Sequence, residues 1–154
     1  MSSNLSDKLM PNLQKSAICY VLGNKRSGKS LLTLSILHRS LTRDYFHNYI
    51  LVLPTYRYEQ KGSYEWIDKV AKEKKKLGVN VYVMEEINID AILNFLMKEK
   101  QKNEDHRTLV IFDDSTSDRS LFYSTSEKGS KILQFLSRIR HLNASLILIA
   151  HSAN

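Results

Sequence analysis

Apolar residues along this 154-residue chain fall into two kinds of run that take turns. SAICYVLG, NYILVLP, VNVYVM, TLVIFDD and ASLILIAHS are short and nearly continuous, as strands covered on both faces are. SAICYVLG reads as a short buried strand closed by glycine, and Pro54, which lacks an N–H for the ladder, ends NYILVLP. Between these runs the apolar spacing becomes helical. Leu31, Leu34, Leu37 and Leu41 recur in SLLTLSILHRSL, Trp66, Ile67 and Val70 share one side of SYEWIDKVAKEKKKLG, and Ile92, Phe95 and Leu96 turn inward in IDAILNFLMKEKQKN. SKILQFLSRIRH supplies a fourth helix, preceded by the Ser/Thr/Asp/Gly-rich loop STSDRSLFYSTSEKG, and Gly78 is a natural helix stop.

The order is therefore β-α-β-α-β-α-β-α-β. It predicts an α/β fold, a mostly parallel sheet covered by helices on both faces. Residues 1–15 are expected to form a flexible lead-in and residues 16–154 a single domain. Domains of this kind often continue past the fifth strand, so the chain is expected to be a truncated or naturally short version.

Composition narrows the class. The chain is 42% hydrophobic and 25% charged, which is globular rather than disordered. Cys19 is the single cysteine, so no internal disulfide forms and a thiolate zinc site is hard to assemble. No run approaches the eighteen or so apolar residues of a membrane span, and the polar N-terminus lacks a signal-peptide apolar region. The expectation is a soluble protein in a reducing compartment. The net charge of +7 is uneven: residues 1–78 carry 14 Lys/Arg against 6 Asp/Glu, and residues 79–154 carry 9 against 10. A basic half attracts polyanions, although a solvated surface has the same composition.

The strongest chemical signal is GNKRSGKS at residues 23–30, a full match to G-x-x-x-x-G-K-[ST] with a strand before it and a helix after it. By composition its four fixed positions coincide by chance in well under ~1% of chains this long. Gly23 and Gly28 let the backbone wrap without side-chain clashes, so the amides of Asn24, Lys25, Arg26, Ser27 and Gly28 form a concave anion site. The helix opening near Lys29, Ser30 and Leu31 adds its free N–H groups and dipole. Lys29 is expected to reach the β- and γ-phosphates of ATP, and Ser30 to place its hydroxyl on Mg²⁺. Lys25 and Arg26 add charge near the phosphates or face solvent or a neighbour; the spacing does not choose.

Asp113 and Asp114 close the apolar run LVIF, at the strand end where open α/β sheets bind ligands. Asp113 is the expected Mg²⁺ partner, and Asp114 the residue that orients or deprotonates the attacking water. Adjacent carboxylates repel unless a cation compensates, which Mg²⁺ and Lys29 do. At the chain's end, His151 lies near the γ-phosphate if its strand neighbours the phosphate-loop strand. Arg140 is the preferred candidate for an arginine acting on a neighbouring subunit's nucleotide, with Arg119 as its competitor.

Taken together, GNKRSGKS, LVIFDDS and RIRHLNASLILIAHS resemble the poxvirus-type genome-packaging ATPases, within the FtsK–HerA group of P-loop DNA-pumping motors. The resemblance spans about residues 17–152. It implies a RecA-like P-loop fold, Asp113 as the Mg²⁺ acid and Asp114 as the catalytic acid. The family's Arg-His pair falls on Arg140 and His141, and its usual glutamine at the last strand end is replaced by His151. Many relatives in the wider group use Glu where Asp114 stands.

The resemblance further implies a homo-oligomeric ring that drives double-stranded DNA into a viral capsid. Capsid or portal-vertex proteins are then partners, and the place of action is the host-cell cytoplasm or viral factory, with virion association. Two other classes share the phosphate loop. A small-molecule kinase would enlist phosphate-clamping arginines from Arg57, Arg119, Arg138 and Arg140, and a guanine-specific switch would need N-K-x-D, which the chain lacks. A non-catalytic nucleotide scaffold would not need Lys29, Ser30, Asp113 and Asp114 together.

Overall fold

The computed structural model describes residues 16–23, 29–43, 45–53, 65–113 and 127–151. Within them five strands form one sheet: β1 (Ile18–Gly23), β2 (Asn48–Val52), β3 (Asn80–Met84), β4 (Thr108–Phe112) and β5 (Ala144–His151). Four helices connect them: α1 (Lys29–Thr42), α2 (Glu65–Lys75), α3 (Ile89–Lys102) and α4 (Glu127–Arg138), the last followed by a 3-10 turn (Ile139–Leu142). The lead-in expected for residues 1–15 lies outside the described residues.

Every strand pair is parallel, in the order β1-β5-β4-β2-β3. This order explains which helix covers which face. The steps β1 to β2 and β2 to β3 move one way across the sheet, and the steps β3 to β4 and β4 to β5 move back. Because parallel crossovers are right-handed, reversing direction reverses the face. Accordingly, Leu32, Ile36, Leu37 and Leu41 of α1 and Ile67 of α2 pack with Tyr49, Leu51, Leu109, Ile111, Ile147 and Ile149. On the opposite face α3 and α4 supply Ile92, Leu96, Ile132 and Phe135 to Ile50, Val52, Val110, Phe112, Leu146 and Leu148. Alternate residues of β2, β4 and β5 thus feed two cores, and the Phe112 and Phe135 rings stack at 5.9 Å.

β1 departs from the sequence expectation of a buried strand. It is one of the sheet's two outer strands, β3 being the other, and Ile18 and Tyr20 are each 48% exposed. Their register partners Leu146 and Leu148 are buried on the α3/α4 face. There α3, α4 and the 3-10 turn pack on one another over the middle of the sheet and leave the β1 margin open. Helix α4 also begins at Glu127, inside the segment read as loop.

The edge where strands begin is held by a polar ladder. The buried Asn48 donates through Nδ2 to Glu99 Oε2 at 3.3 Å and accepts from Asn80 Nδ2 at 3.2 Å, tying β2, β3 and α3. Glu99 also meets His106 Nδ1 at 3.0 Å and Lys102 Nζ at 3.4 Å. The His106 ring stacks on His47 at 4.8 Å, and His47 Nδ1 accepts the Arg107 N–H. Burial, reinforced by the charges of His106 and Arg107, holds His47 below the ordinary imidazole range, which suits this acceptor role.

Burial alone would push the Glu99 carboxyl up, but hydrogen bonds from Asn48, His106 and Lys102 outweigh it and hold it below the ordinary range. A depressed carboxyl stabilises the fold above its unfolded pKa, about 4.3, and that contribution is lost as pH falls through the folded value. Glu99→Gln is therefore expected to be less stable than the wild type at neutral pH. The gap between their urea midpoints should close on acidification below about pH 4; a gap that stays constant with pH would remove Glu99 from this role.

Candidate nucleotide site

Parallel pairing sends all five strand ends, Gly23, Val52, Met84, Phe112 and His151, to one edge of the sheet. β1 delivers Gly23 there, and α1 opens at Lys29, so the motif at residues 23–30 runs from the end of the strand into the start of the helix. Lys29, Ser30 and Leu31 occupy the first positions of α1, whose N–H groups have no intrahelical partner. The first turn of α1 contains no acidic residue, so no side-chain carboxylate of that turn competes for its positive end.

Asp113 follows Phe112 directly. It is 6% exposed, and its N–H donates to the Val52 carbonyl at 2.9 Å, which continues the β4–β2 ladder by one step. The residue is thereby set at the same edge as Gly23 and the start of α1. β5 runs between the two: it pairs with β1 on one side and β4 on the other. At about 4.8 Å per strand, Gly23 and Asp113 sit on strands roughly 10 Å apart. Helix α1, which follows β1, packs on one face and α4, which follows β4, on the other, so this stretch of the edge is a topological switch point.

The structure meets the condition attached to His151. β5 is the neighbour of β1, and the register places His151 opposite Gly23. Arg140 lies elsewhere. It is exposed in the 3-10 turn before β5, at the edge where strands begin. The eight residues of β5 separate it from His151, a rise of about 23 Å. Arg140 and Gly23 therefore lie at opposite edges of the sheet. Arg138 and His141 share that edge, with the Lys100 ammonium donating to the His141 carbonyl. Asn24, Lys25, Arg26, Ser27, Gly28, Asp114 and Arg119 lie outside the described residues.

The donor chemistry fits the group the motif implies. A serine in the first turn of α1 and a buried aspartate at the same edge bring hard oxygen donors, the kind Mg²⁺ takes together with phosphate oxygens and water. Among the described residues no cluster of three His, Cys, Asp or Glu suits a metal held by protein alone. Sequence reasoning missed the Asn48–Asn80–Glu99–His106 ladder, which has no motif; the only hint was an asparagine opening each of two apolar strands.

The profile of the Poxvirus A32 protein family matches residues 9–154. No curated protein matches the chain. Among solved structures, one ATPase domain aligns with 100% of this chain at a TM-score of 0.60 and 11% identity. The alignment takes in 64% of that solved chain. The likeness is one of fold, and it is the fold of a P-loop ATPase domain.

Proposed function

The chain belongs to the Poxvirus A32 protein family, and from that premise we propose that it is an ATP-hydrolysing motor that drives double-stranded DNA into a viral capsid. The observation that carries this reading is the meeting of Gly23, the first turn of α1, the buried Asp113 and the end of β5 at one sheet edge.

In this reading the amides of residues 24–28 and of the first turn of α1 hold the phosphates, and Lys29 neutralises charge on the β- and γ-phosphates. Ser30 and Asp113 hold Mg²⁺, which when bound draws charge from the phosphate oxygens. Asp114 orients the attacking water and takes its proton. The water oxygen bonds to the γ-phosphorus, the bond to the β–γ bridging oxygen breaks, and ADP and inorganic phosphate leave. His151, opposite Gly23, is suited to report whether the γ-phosphate is present. Arg140 acts in trans on a neighbour's nucleotide, which calls for a homo-oligomeric ring. DNA and capsid or portal-vertex proteins are the partners, at the site of virus assembly inside the host cell. Among the described residues no helix is long and apolar enough to cross a membrane.

Double-stranded DNA is expected to stimulate ATP turnover by the assembled protein. Absence of stimulation, together with phosphate transfer to a small acceptor, would replace the motor with a kinase. Lys29→Ala should abolish tight ATP binding in calorimetry, whereas Asp114→Asn should keep binding and lower turnover by about 10²-fold or more; normal turnover in the latter would strip Asp114 of its role. Arg140→Ala should leave nucleotide binding intact and cost at least about 10³-fold in turnover. In mixed rings, Arg140→Ala subunits should regain activity beside Lys29→Ala subunits, since each supplies what the other lacks; mixtures without recovery would rule out action across the interface.

A further inference from the structure

We infer that the sheet edge opposite the nucleotide site, at the ends of α2 and α3, is the surface that grips duplex DNA; the inference rests on the motor reading above. In a parallel α/β sheet every connecting helix ends at the edge where the strands begin. Here each of those ends is basic: Arg39 in α1, Lys72, Lys74 and Lys75 in α2, Lys100 and Lys102 in α3, Arg138 in α4 and Arg140 in the 3-10 turn. Arg43, Lys76, Lys98 and Arg107 join them from the adjoining residues.

By sequence, segments 39–47, 72–79, 98–107 and 138–143 hold twelve Lys/Arg against five Asp/Glu. That excess equals the chain's whole net charge of +7, and the remaining residues balance. The segments form one surface. The Asn80 N–H donates to the His47 carbonyl, His47 stacks on His106, Asn143 donates to the Glu104 carbonyl, and Arg138 Nη2 lies 3.4 Å from Met97 Sδ.

Complementing helix dipoles asks for a cation or two per helix end. Four lysines in five residues at 72–76, with Lys98 and Arg107 beside them, exceed that need. Lys72, Lys75, Lys76, Lys98 and Arg107 are all exposed. Of the acids here, Glu99 is already engaged by His106 and Lys102. Duplex DNA presents one charge per about 1.7 Å of axis, and the sheet edge is roughly 20 Å wide. Single-strand sites rely on exposed aromatic rings for base stacking. Among the described residues at this edge, Phe46 is buried, Tyr45 is half-buried, the His47 and His106 rings stack on each other, and His141 is exposed by itself, short of the row of rings a single strand would need. The chemistry is that of backbone phosphates held without regard to sequence.

The test measures binding of the full chain to a short mixed-sequence duplex by fluorescence anisotropy across salt concentrations. K72E/K75E/K76E and, separately, K98E/R107E should each weaken binding about tenfold or more and flatten the salt slope by about one unit for each phosphate no longer neutralised. Lys131→Glu, in α4, should change neither. Basal ATP hydrolysis without DNA should stay at the wild-type level in all three. Wild-type affinity and slope in both multiple variants, with DNA-stimulated turnover retained, would overturn this surface and leave the motor standing. Tighter binding of single strands or of an acidic peptide than of duplex would overturn the assignment to duplex. A wild-type chain that binds no duplex at low salt would sink both readings.

Discussion

A strand covered on both faces has only its two ends at which to carry charge. β2 and β4 are buried at every position, and β5 is buried from Ala144 to Ile149. An ionised side chain inside such a strand would face a desolvation penalty of many kcal/mol. Asp113 accordingly stands at the first residue past Phe112, and many of the Arg and Lys gather at the helix ends and turns that precede the strands. Because all five strands point the same way, these local choices add up across the sheet. One edge collects the phosphate loop, the start of α1 and Asp113; the other collects Arg and Lys.

Helix polarity works in the same sense. Each connecting helix presents its positive end to the phosphate-loop edge and its negative end to the basic edge. For α1 this is direct, since its first turn adjoins the loop and lacks acids. Asp113 is a buried acid at that edge, and its hydrogen bond to the β4–β2 ladder fixes it two strands from Gly23. The interposed β5 is what sets that spacing. A sheet in which β4 paired directly with β1 would bring the acid about 5 Å closer and leave less room for a metal-bound phosphate chain.

Much of this was legible in the sequence, for identifiable reasons. Continuous apolar runs marked the strands, three- and four-residue spacing marked the helices, and GNKRSGKS marked the turn between the first pair. Strand order was not legible. Whether β1 is central or marginal depends on pairing across more than a hundred residues, and nothing in ICYVLG distinguishes the two; hence a strand with interior composition exposes Ile18 and Tyr20. The onset of α4 was hidden because Gly129 and the Ser/Thr-rich stretch before it read as turn chemistry, whereas burial of Ile132 and Phe135 decides the helix. Charge divides in two ways. Counting by halves shows a basic N-terminal part, and counting by sheet edge, which needs the strand directions, cuts across every βα unit.

The two edges are joined by a short, stiff path. β5 runs from Ala144 to His151, and its first residue follows Asn143, which closes the 3-10 turn carrying Arg140. Asn143 adopts φ 53°, a left-handed conformation that asparagine tolerates better than most residues, and its side chain donates to the Glu104 carbonyl. That turn is therefore tied to the loop beside Arg107 as well as to the strand. β5 is paired with β4 from Ala144 to Leu148 and with β1 from Leu146 to His151, so each part of the strand is held by a neighbour. The same strand that ends opposite Gly23 thus begins beside the turn that carries Arg140, and it sets the distance between them.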